Sequence, residues 1–184
     1  MPTLTEIGQR HAAFYLSVLR TAHRLHQQGG VNINRGLAIF DLERANIEAA
    51  QQWAAANAAT NRGAAVLCCE FPDAGALVLE LRQTPMERIR WLEAGLAAAK
   101  RLEHAYYTGA HLGNLGLAHL ATGDARKAIA YHQEHLAIAQ QIGNRRSAGN
   151  ALGNLGMAFA ALGKMPEAIA HYEQALAIHR EIGN

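Results

Sequence analysis

Two segments of this chain are close copies of each other. Gly109 to Asn144 reads GAHLGNLGLAHLATGDARKAIAYHQEHLAIAQQIGN, and Gly149 to Asn184 reads GNALGNLGMAFAALGKMPEAIAHYEQALAIHREIGN. The offset is 40 residues, and 18 of the 36 aligned pairs are identical. An internal repeat of a few tens of residues marks a solenoid, because one such unit cannot bury its apolar face alone and must stack on a neighbour. Function in such a chain is sought first in a displayed surface and only then in a reaction centre.

Each copy reads as two helices, about 105–121 and 125–141 in the first and about 145–161 and 165–181 in the second. The turns are Thr122–Gly123–Asp124 and Leu162–Gly163–Lys164, and each copy closes on Ile-Gly-Asn, where the glycine is a natural left-handed helix stop. The period also runs backward. Ile89, Leu96 and Ala97 precede Ile129, Leu136 and Ala137 by 40 residues, and these precede Ile169, Leu176 and Ala177 by 40 more, with Trp91 falling opposite Tyr131. Residues 85–102 are therefore the second helix of a degenerate unit, capped by Thr84, with Pro85 in its first turn and Glu87 beside the helix dipole. Its first helix lies in 62–83, and Pro72 predicts a kink or a split there.

Upstream the pattern fades. One helix spans Thr3 to Gln28, Gly29–Gly30 breaks it, and VNINRGL (Val31 to Leu37) reads as a loop. A second helix is expected from near Asp41 to about Thr60. The resulting plan is one continuous solenoid: a helical pair at 1–61 acting as a cap, a degenerate repeat at 62–103, and full repeats at 104–144 and 145–184.

Composition narrows the function classes. Half of the residues are hydrophobic, only 17% are charged, and the net charge is +2 with basic and acidic residues interspersed. No basic stripe points to nucleic acid. No apolar run is long enough to cross a membrane, and the N-terminus lacks a signal-peptide pattern, so a reducing cytoplasm is the expected location. Cys68 and Cys69 are sequence neighbours that cannot easily form a strain-free disulfide; they fit a helix as small apolar fillers.

The last two units resemble tetratricopeptide repeats. The matching residues are Leu112, Leu115, Gly116, Ala118 and Ala128 in one unit, and Leu152, Leu155, Gly156, Phe159, Ala168, Tyr172 and Ala175 in the other. The 40-residue period is similar to the long-helix branch seen in kinesin-light-chain-like and Pins-like repeat proteins and in bacterial signalling ATPases. The resemblance implies an all-α, right-handed α-solenoid of antiparallel helix pairs that binds a protein or peptide on its concave face. In it, Gly116 and Gly156 let the second helix approach closely. A looser resemblance covers the first hundred residues: RHAAFYLSVL, DLERANIEAAQQWA and RIRWLEAGL look like the helical region of STAND-type (NB-ARC-like) regulatory ATPases, whose repeats form a sensor. The chain carries no G-x-x-x-x-G-K-[ST] motif, so the ATPase engine is absent from it. It would then be a piece of a larger regulator, which the end at the repeat boundary (Gly183–Asn184) fits.

Asn114 and Asn154 occupy equivalent positions, and the resemblance implies that they face the groove. There an amide, donor and acceptor at once, can pair with a peptide main chain; the plainer role is a bond to a neighbouring helix or to solvent. The groove is expected to include Ala110, Gly113, Leu117, Leu120 and Ala121, and in the second copy Asn150, Gly153, Met157, Ala160 and Ala161. It is apolar and largely uncharged, which favours an apolar helix or an extended segment over an acidic tail.

The last helix has no polar helix after it. Ile169, Tyr172, Leu176 and Ile178 would partly face an absent neighbour and can support a homodimer. His119, His132 and His135 replace Phe159, Tyr172 and Ala175. Three converging imidazoles can bind zinc; the plainer role is a flat, half-polar filler that finds a hydrogen-bond partner, and neither metal nor cofactor is expected. Gly149, Gly153 and Gly156 recur within a helix pattern rather than after a strand, so they are no phosphate loop. Arg145–Arg146 reads as a solvated helix start. No catalytic triad or carboxylate pair stands out, and an enzyme is not expected.

Overall fold

The computed structural model describes residues 1–183. These residues fold entirely into helices joined by short turns and divide into two compact units, 1–104 and 105 onward.

In the first unit, α1 (Leu4–Gln27) opens with a reciprocal capping box between Thr3 and Glu6. Gly29 and Gly30, both at positive φ, turn the chain into α2 (Val31–Asn57). The loop expected at Val31–Leu37 is therefore helical, and α2 starts ten residues before Asp41. The reason is tertiary. Gly36 reads locally as a breaker, yet a Cβ there would lie 2.4 Å from the carbonyl oxygen of Ala22. The missing side chain lets α2 lie directly on the backbone of α1, and the packing outweighs glycine's poor helix propensity.

Asn61 caps α3 (Arg62–Ala74) by accepting from the Ala64 amide. Pro72 sits buried inside α3 without ending it; the break comes at Gly75, where a Cβ would strike Leu19 of α1 at 2.5 Å. The short α4 (Ala76–Arg82) follows, and then α5 (Pro85–Arg101), with the Thr84–Glu87 capping box and Pro85 at its start. α1 packs on α2, and α3 packs on α1, α2 and α5. The core is built around Leu19, Phe40, Ile47, Phe71 and Leu92, with Phe71 and Trp91 edge to face at 6.0 Å. Cys68 and Cys69 are both buried thiols, and burial pushes them up to about 12 and about 11. They fill space and are not nucleophiles at neutral pH.

The second unit consists of α6 (Ala105–Ala121), α7 (Ala125–Gln141), α8 (Arg145–Ala161) and α9 (Met165–Glu181), each 17 residues long, at the bounds the repeat predicts. Gly123, Gly143 and Gly163 take the left-handed conformation at the turns. Asp124 and Asn144 cap the helices that follow by accepting from Lys127 and Ser147 amides; the closing Asn184 lies outside the described residues. Each helix packs antiparallel on the next, and α6 also touches α8. A core of Leu152, Leu155 and Ala175 collects Ile129, Leu136, Phe159 and Ile178 around it.

Candidate peptide-binding groove

The contact that pairs the helices of each repeat is a glycine lying under a ring. A Cβ on Gly116 would meet the His132 ring at 2.3 Å, and one on Gly156 would meet the Tyr172 ring at 2.5 Å. A glycine in a helix interior costs about 1 kcal/mol relative to alanine, and here it lets a flat ring lie against the helix backbone. On a helix, successive residues are rotated by about 100°. Asn114 and Asn154 stand two positions before their glycines, so they point away from the ring contact.

They point into a groove on the α6–α8 face. A cavity of about 400 Å³ there is lined by Gly113, Asn114, Leu117, Asn150 and Asn154 together with Ala110. A shallower depression of about 470 Å³ continues from it, sharing Leu117, Asn150 and Asn154 and adding Gly153, Met157 and Tyr172. Asn150 and Asn154 are one turn apart on α8 and line the same wall. The amides of Asn114 and Asn154 are half-buried, and neither hydrogen-bonds another described residue. Leu120, Ala121, Ala160 and Ala161 line neither depression.

The groove also contains side chains that periodicity did not place there. Tyr106, Arg146, Ser147 and His135 line the first cavity. His135 Nε2 and Ser147 Oγ are hydrogen-bonded at 2.8 Å, joining α7 to α8. Arg146, expected as part of a solvated helix start, lies at the groove, while Arg145 pairs with Glu181. The face is thus less uniformly apolar than its alanines and glycines imply.

The three histidines do not assemble into a metal centre. Among the described residues no group of three His, Cys, Asp or Glu is placed to hold a metal ion. His119 instead stacks on Tyr131 at 5.3 Å and 14°. The equivalent pair in the next repeat, Phe159 and His171, stacks at 5.1 Å and 15° with the partners exchanged. His119 is therefore one half of a repeated histidine–aromatic stack, a pattern hidden by aligning each position singly. His132 is fully buried, and neither of its ring nitrogens has a hydrogen-bond partner. The partner expected for a half-polar filler is missing at this site.

The final helix shows what α8 does for α7. His132 is 0% exposed whereas its counterpart Tyr172 is 41% exposed; Ala125 is 5% exposed whereas Met165 is 53% exposed. Ile169 and Leu176 are also open, whereas Ile178 packs onto the Leu152–Leu155–Ala175 core. The open patch on α9 is thus Met165, Ile169, Tyr172 and Leu176, without Ile178.

Residues 107–181, less than half of the chain, match the tetratricopeptide repeat family model. No curated protein matches the chain. Among solved structures, a kinesin light chain homologue from Podosopora anserina with nearly identical TPR-like repeats is 21% identical, at a TM-score of 0.61, over 92% of this chain and 77% of that one. BtubC (BKLC) from P. vanneervenii is 16% identical at a TM-score of 0.55, over 100% of this chain and 94% of that one. MamA is 16% identical at a TM-score of 0.53, over 100% and 98%. These likenesses place the fold among tetratricopeptide-type helical solenoids. No helix among the described residues is long and apolar enough to cross a membrane.

The buried imidazoles have a consequence for stability. Burial, and after it the neighbouring His135, hold His132 down at about 4; burial also lowers His135. An unfolded histidine titrates near 6.5. Between roughly pH 6.5 and 4 the unfolded chain therefore binds protons that the folded chain refuses, so stability is complete above that window and falls as pH falls through it. Urea unfolding at pH 7.5 and pH 4.5 should show a loss in the wild type that exceeds the loss in His132→Phe by about 2 kcal/mol. Equal losses in the two proteins would contradict the assignment.

Proposed function

We propose that this protein is a protein-interaction scaffold whose second unit holds an extended peptide in the α6–α8 groove. The observation that carries the reading is the row of asparagine amides, Asn114, Asn150 and Asn154, along one continuous groove. A half-buried amide without a protein partner offers a donor and an acceptor together, and a peptide main chain supplies the complementary pair at regular intervals. Leu117 and Met157 give the same wall apolar contacts for side chains. The tetratricopeptide match over 107–181 supports a scaffold in general.

In this reading residues 1–61 act as a helical cap and 62–103 as a degenerate repeat. The phrases in the first hundred residues that look like STAND-type regulators support a sensor role within a larger cytoplasmic signalling protein. Peptides selected for binding to the wild type from a random extended library should bind Asn114→Ala/Asn154→Ala about 30-fold more weakly, since each lost hydrogen bond is worth about 1 kcal/mol. Equal affinity for both proteins would sink the groove-asparagine reading.

A second reading is favoured by the open patch on α9. Its residues are equivalent to those that α8 covers on α7, so the surface is shaped to receive a helix. A second copy can supply one, giving a homodimer through Ile169, Tyr172 and Leu176. Sedimentation equilibrium should then show a dimer that Leu176→Glu converts to monomer. A monomer at all concentrations in the wild type would exclude this reading and leave the groove reading intact.

A further inference from the structure

The first unit carries a second groove, between α2 and α5, that the repeat logic does not use. One wall is a stripe on α2 at helical spacing: Glu48, Gln51, Gln52 and Ala55, continuing to Ala58 and Ala59 beyond the helix end. The facing wall is a stripe on α5: Glu87, Arg90, Trp91, Ala94, Ala97 and Arg101. The two helices run in the same direction along it and touch each other only lightly. The polar end is a cavity of about 300 Å³, and an alanine-floored trough of about 220 Å³ continues from it through Ala55 and Ala94. Residues of α1 and α3 line neither part.

Two features of the polar end point to a ligand. Gln51 lines the cavity at only 4% exposure, and its amide makes no hydrogen bond among the described residues. The Oε1 of Gln83, which lines the same cavity, is buried and has no partner. A buried polar atom left unpaired costs about 1–3 kcal/mol, so the Gln83 Oε1 at this cavity has room for an outside donor, beside a Gln51 amide that opens onto the same cavity without a protein partner. The charges are equally uneven. Both carboxylates at the cavity are already engaged by Arg44, Glu48 at 2.7 Å and Glu87 at 3.2 Å, and Glu87 also closes the capping box of α5. Arg90 acts on Glu87 only at longer range, and Arg101, exposed at the end of α5, has no ion pair among the described residues.

The geometry points to a second binding site in this groove, for an extended, small-residue peptide with a carboxylate near each end. The amides of Gln51 and Gln83 pair with its main chain. The trough of Ala55, Ala94 and Ala97 is floored by methyl groups and admits a backbone closely. Arg90 and Arg101, eleven residues apart on α5, are separated by about 16 Å along the helix axis. An extended chain covers that distance in about five residues. A helical ligand would keep its own main-chain hydrogen bonds and leave both glutamines unsatisfied.

The test is a titration of the isotope-labelled full chain with the synthetic peptide Ac-Asp-Ala-Ala-Ala-Asp-NH2, followed by NMR. The side-chain amide signals of Gln51 and Gln83 and the indole N–H signal of Trp91 should shift together and saturate, while those of Asn114 and Asn154 stay in place. Arg90→Glu and Ala97→Glu, both at exposed positions that leave the core intact, should each weaken binding at least tenfold. The proposal is overturned by any of three results: no saturable shift at millimolar peptide, unchanged affinity in both variants, or free alanine saturating the same signals as tightly as the peptide. The last result would make the cavity a small-molecule site. Because the asparagine signals are read in the same spectra, failure here is distinguishable from failure of the α6–α8 groove.

Discussion

The second unit depends on a glycine lying under a ring. Gly116 beneath His132 and Gly156 beneath Tyr172 let the two helices of each repeat close on each other with a ring between them, in space that a Cβ would otherwise share. Alanine-rich faces such as Ala128, Ala168 and Ala175 then close around that contact, and the larger Leu112, Leu115, Leu152 and Leu155 fill the space beside it. The same block of sequence, Gly-Asn-Leu-Gly, sets the outward face. With its second glycine turned to the ring and its leucine to the core, its asparagine is left facing the groove. Packing and presentation are thus two sides of one helix and cannot be altered independently.

The difference between the copies follows from what covers them. In the first repeat the ring on the glycine is enclosed by α8 and becomes a fully buried imidazole with no hydrogen bond. That imidazole is tolerated because it is neutral at ordinary pH; its cost appears only when acid would charge it. In the second repeat no described helix covers α9, and the corresponding ring is an open tyrosine that takes part in the groove. The histidine–aromatic stacks, His119 on Tyr131 and Phe159 on His171, hold each pair at a second point with the partners exchanged. The chemistry of the histidines is therefore explained by packing.

The 40-residue period is legible in the helix bounds of the second unit. The bounds of α6 to α9 follow from repeated glycine stops, and the Thr84–Glu87 cap from its spacing alone. The misreadings are at residues whose role is set by a distant partner. Gly36 looks like a breaker until Ala22 is seen beneath it, and the split expected at Pro72 occurs at Gly75, against which Leu19 packs. Ile178 belongs to the core although it was expected on the open face with its neighbours. Arg146 reaches the groove from the start of α8 as Tyr106, 40 residues earlier, does from the start of α6; the position recurs but the residue type does not, so the sequence repeat does not reveal it. Gln51 and Gln83 have no sequence signature at all; their place at one cavity, and the unpartnered Oε1 of Gln83, are visible only in the fold.

The dependence of the helix pair on its glycine is tested most directly by comparing Gly116→Ala with Gly156→Ala in urea unfolding. Both substitutions gain about 1 kcal/mol of helix propensity. At Gly116 the added methyl meets a ring that is walled in, and overpacking of this kind costs about 1–3 kcal/mol or more. At Gly156 the ring is 41% exposed and can swing toward solvent. The account predicts a clear loss of stability for Gly116→Ala and a much smaller change for Gly156→Ala. A Gly116→Ala protein as stable as the wild type would contradict it.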